Sequence, residues 1–279
     1  FTQAVNACYV PLRTIYNDRS WLLSEMHSDN TYYYRNTAFG ATEQQEDLAD
    51  FSIPVSNNLT TNTHVLNQYR QDYLIIARAN QVLALIDKAD FDATSKANLK
   101  GQAQFMRALA YFDIYRYFNK GPLQLTPVAN REQAAAPLGT GDDLAKIIIG
   151  DLTGAIAGLK TKSTQEAGRA TAGAARALLA NLYLIQKNWA GAEKLCREIV
   201  AEGSYSLMAD YNNAFTTSTA NKNNAESVFE VQYQEGANGF QGSFMYNFLP
   251  RPMTSGELFT LAGTSNPQPQ TGEGNNAPM

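Results

Sequence analysis

The chain of 279 residues is 44% apolar and 17% charged, a balance that excludes a disordered chain or a charge-laced coiled coil and leaves one or two domains with a sizeable core. Its 22 basic and 26 acidic residues sum to −4, so no cationic excess is available to neutralise phosphates and no nucleic-acid partner is expected. Two cysteines build no disulfide framework, and no apolar run approaches the roughly 18 residues that span a bilayer.

In chain order, Val5, Tyr9, Leu12 and Tyr16 fall on one helical face and predict a helix over 4–29, kinked or restarted at Pro11. Cys8 in this stretch, and Cys196 far downstream, read as small apolar packing residues. From Asp29 to Asn67 the periodicity gives way to Asn, Thr, Tyr and Gly, with Pro54 and the Asn57-Asn58 pair adding turn chemistry. A loop of that length is the first place to look for a site. The next helix carries two apolar faces, Tyr69, Tyr73, Ile76, Asn80 and Leu83 on one, Ile75, Ala79, Val82 and Ile86 on the other. Asp92, Thr94 or Ser95 can cap a following helix that runs to about Phe118, with a stripe of Phe105, Ala108, Leu109, Phe112 and Tyr115 and a stop at Gly121 and Pro122.

Thr140 and Asp143 form a capping-box-like start for a third helix, with Leu144, Ile147, Ile148, Leu152, Ala155, Ile156 and Leu159 as its stripe. Residues 173–202 then predict a hairpin. An almost wholly apolar helix with small residues Ala174, Ala177 and Ala180 turns at Lys187-Asn188 into an amphipathic helix whose stripe is Ala192, Leu195, Cys196, Ile199 and Val200. Leu179, Ala180, Tyr183 and Ala192 sit at tetratricopeptide spacings. The fold class expected is mostly α: an α-solenoid of imperfect tetratricopeptide-like helical hairpins with long loops and a few short strands. One such strand is Val228 to Tyr233, where Phe229, Val231 and Tyr233 alternate with polar residues. The expected organisation is a helical-repeat core over 1–235 with an inserted loop region at about 29–67, followed by the start of an irregular, incomplete C-terminal region over 236–279.

The run Gly101 to Phe112, continuing to Tyr117-Phe118 and Gly121-Pro122-Leu123, resembles the signature helix of the SusD/RagB family. So do Ala79-Asn80, Gly168 to Thr171 with Ala174 to Tyr183, Tyr211 to Phe215, and Glu226 to Tyr233, in the same order along the chain. Gln102 departs from the family's usual Glu, and Asn119-Lys120 from its usual Gly-containing turn. The resemblance implies an outer-membrane lipoprotein on the extracellular face that binds oligosaccharide, is not an enzyme, uses no cofactor, and caps a SusC-like TonB-dependent transporter. Family members are longer and carry a lipidated cysteine, so the expectation is a fragment whose lipid anchor lies outside this chain; Cys8 has no lipobox before it.

Carbohydrate binding calls for flat aromatic faces that cover the C–H face of a pyranose, flanked by amide, carboxylate or guanidinium groups for its hydroxyls. Asp29, Asn30, Tyr32, Tyr33, Tyr34, Arg35 and Asn36 supply all of these in one loop, and Tyr246, Asn247 and Arg251 form a second cluster. The structural alternative is that alternate tyrosines pack inward, and that Phe244, Tyr246 and Phe248 alternate as a strand. Trp189 reads as a staple between the hairpin helices and is left out of the site. His27 and His64 are isolated, and no metal-ligand spacing, phosphate loop or nucleophile elbow is present. Two other readings are a helical-repeat protein-protein adaptor and, last, an α-helical glycosidase using carboxylates among Glu25, Asp29, Glu43, Glu46 and Asp47.

Overall fold

Pro11 lies inside α1 (Thr2–Thr14), and the helix runs through it without restarting. Proline has no N–H for the carbonyl four residues back, that of Ala7. The guanidinium of Arg78 takes its place, Nη1 donating to the Ala7 oxygen at 2.6 Å. The irregularity expected at Pro11 falls instead at Ile15–Arg19, one π-helical turn, after which α2 (Ser20–Glu25) follows. Substituting Arg78→Met therefore strands a carbonyl and lowers stability by about 1–3 kcal/mol. Adding Pro11→Ala returns the missing N–H and recovers most of that loss, which urea unfolding midpoints of the two variants check.

The computed structural model describes residues 1–28, 31–32, 43–52, 62–215, 221–234, 242 and 277–278. They divide into two units, one holding residues 1–11 and 72–232, the other 12–71 and 233–279. The described residues are mostly helical, with a few very short strands.

In the first unit the centre is α5 (Ala93–Phe118). Asp92 caps it, accepting from the Ser95 N–H at 2.7 Å. A single apolar stripe was the expectation; every residue from Ala108 to Ile114 is buried, because α6 (Gly141–Gly158) packs along α5 and α7 (Ala172–Ile185) also touches it. Asn119, at φ 52°, ends the helix in the left-handed conformation that asparagine tolerates. Gly121 and Pro122 are thus not the stop. They belong to β2 (Lys120–Pro122), paired antiparallel with β3 (Leu138–Thr140). The part of α4 (Thr63–Leu85) in this unit buries Ile75, Ile76, Ala79, Asn80 and Val82, so the second predicted face is the fully buried one. Cys8 is buried as expected, and burial pushes its thiol up to about 12.

The capping box at Thr140 and Asp143 is formed in both directions, and Leu144, Ile148, Leu152, Ala155 and Leu159 are buried below it. The α7–α8 hairpin also forms, with α8 at Trp189–Glu202, Thr171 and Asn188 as N-caps and Lys187 at φ 61° in the turn. Its outer helix departs from expectation. Ala192 and Leu195 are buried and Ile199 half-buried, whereas Cys196 is exposed, Val200 is 80% exposed and Trp189 62%. Helix α8 packs chiefly on α7, and these exposed residues lie off that contact. Cys196 is therefore not a packing residue, and Trp189 leaves most of its surface in solvent instead of burying it between the two helices. Residues 228–231 and Tyr233 are half-buried and Gln232 exposed, and the stretch forms no strand; Phe229 packs inward, its ring centroid 5.1 Å from that of Phe105 and 6.4 Å from that of Tyr9.

The second unit holds more order than the predicted loop over 29–67. Helix α3 (Glu43–Ala49) lies within it, and β1 (Thr31–Tyr32) pairs antiparallel with β4 (Ala277–Pro278). Helix α4 starts at Thr63, because Asn62 caps it by accepting from the N–H groups of His64 and Val65 at 3.1 and 3.4 Å. One buried apolar residue, Leu48, holds α3 down, too little periodicity for a seven-residue helix to show in the sequence. Leu12, Ile15, Trp21, Leu22, Leu23 and Met26 are the other buried apolar residues of this unit's N-terminal part.

Candidate functional site

Of the predicted site residues, Asp29, Asn30, Tyr33, Tyr34, Arg35, Asn36, Tyr246, Asn247 and Arg251 lie outside the described residues, and of Tyr32 only the backbone is described, opposite Ala277 in the β1–β4 pair. What can be built is the frame from which the first loop leaves and to which it returns. On the leaving side, Ser28 turns back on α2, its N–H and hydroxyl both donating to the Glu25 carbonyl at 3.0 and 2.8 Å. On the returning side, Gln44 of α3 ties the start of α4. Its carbonyl accepts from Asn62 Nδ2 at 2.6 Å, and its side-chain oxygen accepts from the N–H and hydroxyl of Thr63.

Between these ties sits an aromatic corner. Helix α3 ends in a Schellman motif, Ser52 N–H donating to the Asp47 carbonyl at 2.9 Å and Phe51 N–H to the Leu48 carbonyl at 3.4 Å. The residue left in the left-handed conformation is Phe51, at φ 54°. Glycine is the usual occupant of that position, and a bulky side chain there costs about 1–2 kcal/mol. Phe51 is 72% exposed, so burial of its ring does not offset that cost. One face of the ring rests on His27, with centroids 4.7 Å apart and planes 15° from parallel. Burial holds His27 below the ordinary imidazole value, opposed in part by a hydrogen bond to the backbone of Leu48. Its Nε2 is buried with no hydrogen-bond partner among the described residues. Residues 24–28 and 43–52, which carry the stack, contain Glu25, Glu43, Glu46, Asp47 and Asp50 and no lysine or arginine.

The residues that carried the family resemblance hold the first unit together. Arg107 makes a two-pronged ion pair with Asp151, Nε to Oδ2 and Nη2 to Oδ1 both at 2.7 Å, and Nη1 donates to Asn80 Oδ1 at 2.8 Å. Asn80 Nδ2 in turn donates to the Gln124 carbonyl at 2.9 Å, which also accepts from the Tyr111 hydroxyl at 2.8 Å. Gln102, where the family usually has Glu, accepts from the Tyr9 hydroxyl at 3.0 Å and from Arg169 at 3.4 Å, and the Ala170 N–H donates to that same Tyr9 hydroxyl at 3.1 Å. The amide oxygen of Gln102 thus accepts from both the half-buried Tyr9 hydroxyl and the Arg169 guanidinium. Sequence reasoning passed over Asp151 and Phe51 and set His27 aside as isolated. Asp151 had a signal, an acid at a core-facing position of the α6 stripe; Phe51 had none, since no glycine marked the end of α3.

Residues 1–184 match the family described as SusD-like, starch-binding and associating with the outer membrane. The chain belongs to the SusD-like family. A SusD-like protein of Formosa agariphila, P25, is 24% identical over 216 residues, covering 73% of this chain and 41% of that protein. A crystal structure of a SusD-like carbohydrate binding protein from Bacteroides fragilis superposes with a TM-score of 0.69 at 25% identity, over 84% of this chain and 46% of the other. The SusD superfamily protein of Parabacteroides distasonis has the same fold over 100% of this chain and 57% of its own, with a TM-score of 0.79 at 21% identity. The chain spans less than half the length of the curated SusD-like relatives it matches. Among the described residues no helix is long and apolar enough to cross a membrane, and no group of three or more His, Cys, Asp or Glu is placed to hold a metal ion.

Proposed function

We propose that the protein is a non-catalytic nutrient-binding protein of the outer cell surface that captures oligosaccharide and delivers it to a SusC-like TonB-dependent transporter. The observation that carries this reading is membership of a family described as starch-binding and associated with the outer membrane. A structural relative described as a carbohydrate binding protein, over 84% of this chain, supports it. The ligand contacts we propose are Tyr32, Tyr33 and Tyr34 as stacking groups, with Asp29, Asn30, Arg35 and Asn36 taking the hydroxyls and Tyr246, Asn247 and Arg251 as a second contact. Amides, a carboxylate and a guanidinium around aromatic rings supply donors and acceptors at the edges of a C–H surface, which is what a sugar ring presents.

Calorimetric titration with maltohexaose and laminarihexaose tests the reading. Replacing Tyr32, Tyr33 and Tyr34 together with alanine lowers affinity by about tenfold or more, on the scale of one to two aromatic contacts. Unchanged affinity removes the loop from the site, and release of shorter sugars during incubation makes the protein an enzyme.

A further inference from the structure

We infer that residues 224–227 form a cation-binding loop whose resident cation is the chain's own Lys162 ammonium, and that the site takes a free potassium or ammonium ion once that side chain is removed. The loop lies in the first unit, in a stretch, 222–232, that belongs to no helix or strand. Its backbone carbonyls have no helical or sheet partner, so their donors must come from elsewhere. Local contacts bend the chain so that these carbonyls converge. Asn224 folds over the turn, its side-chain oxygen accepting from the N–H groups of Glu226 and Ser227 at 3.0 and 3.1 Å. Asn223, in the left-handed conformation at φ 54°, donates its N–H to both carboxylate oxygens of Glu230 at 3.0 and 2.9 Å.

Onto these carbonyls comes Lys162, from the connection between α6 and α7. Its Nζ donates to the carbonyls of Asn224 and Ser227 at 2.6 Å each and of Ala225 at 3.3 Å, and it stands 4.9 Å from the centre of the Tyr205 ring. The Ala225 carbonyl also accepts from the Ser206 N–H at 3.1 Å. An ammonium carries three donors and no acceptor, so donors and carbonyls match one to one. Converging carbonyls are also what replaces the water shell of a bare monovalent cation, and an aromatic face adds to the attraction. Glu230 supplies negative charge nearby, favouring the charged amine against the burial that lowers it from its ordinary value.

Thermal unfolding of the full chain and of two variants, Lys162→Ala and Lys162→Arg, in choline, potassium and ammonium chloride at equal ionic strength tests this. In choline chloride Lys162→Ala is expected to unfold about 5 °C below the wild type, because its carbonyls have lost their donor. Potassium or ammonium chloride returns most of that loss. Lys162→Arg keeps the charge but fills the space with a flat fork that cannot aim three donors at one point, so neither salt shifts it more than it shifts the wild type. A Lys162→Ala midpoint equal to that of the wild type in choline chloride overturns the inference. So does the lack of any recovery beyond the change those salts cause in the wild type and in Lys162→Arg, whether Lys162→Ala unfolds early or does not fold at all; Lys162 is then a packing and hydrogen-bonding residue and the loop holds no free cation.

Discussion

Arg107→Met lowers the unfolding free energy by about 3–5 kcal/mol, while the double variant Arg107→Met/Asp151→Leu recovers most of it. The asymmetry follows from burial. Asp151 is 5% exposed and lies between α5 and α6, and burial raises its carboxyl above the usual carboxylate range even with Arg107 against it. Removing the guanidinium strands that carboxylate and the Asn80 oxygen, whereas removing both charges leaves no buried carboxylate and only the Asn80 oxygen without its donor. The pH dependence has a definite sign. A carboxyl whose folded pKa is raised is stabilising below its unfolded value, near 3.9, and that stability is lost as pH rises through the folded value. The Arg107→Met defect is therefore largest at neutral pH and shrinks as pH falls toward 4. Chemical unfolding of both variants at pH 7 and pH 4.5 checks this; equal losses for single and double variants, at both pH values, would show that the pair is not a unit.

Gly158→Ala destabilises by about 1–3 kcal/mol, and Gly150→Ala, eight residues earlier in the same helix, stabilises by about 0.5–1 kcal/mol. Helix propensity predicts a gain at both positions, since alanine loses less conformational freedom than glycine. Packing reverses it at one. A Cβ on Gly158 stands 2.6 Å from the Ala97 carbonyl oxygen and 3.3 Å from its carbon, which is backbone of α5 and has no flexible end to yield. A Cβ on Gly150 meets nothing within 4 Å. Thermal unfolding of the two variants side by side measures the difference, and a gain at Gly158 would mean that α5 and α6 part there without penalty.

Some helix caps were legible from the sequence because they are local. Asp92, one of three candidates, and Thr140 with Asp143 act on backbone groups within three residues, so spacing placed the starts of α5 and α6, whereas the caps Thr171 and Asn188 were supplied by the structure. The Lys187-Asn188 turn was equally plain. Helix α3 and the start of α4 were not, since one buried leucine and one asparagine cap make too short a pattern to stand out from a polar stretch.

By itself the sequence determined the helical character, most helix limits and the family, which depend on local hydrogen bonding and on residue order. Only the tertiary structure decided which sides of those helices meet neighbours: α5 is enclosed all round over Ala108–Ile114, while α8 leaves Val200, Cys196 and Trp189 in solvent. It also decided what two distant residues do. Arg78 reaches 71 positions back to the carbonyl that Pro11 leaves open, and His27 sets the plane of Phe51. Such contacts have no sequence period, because the partners are brought together by the packing of whole elements and not by the spacing of residues within one.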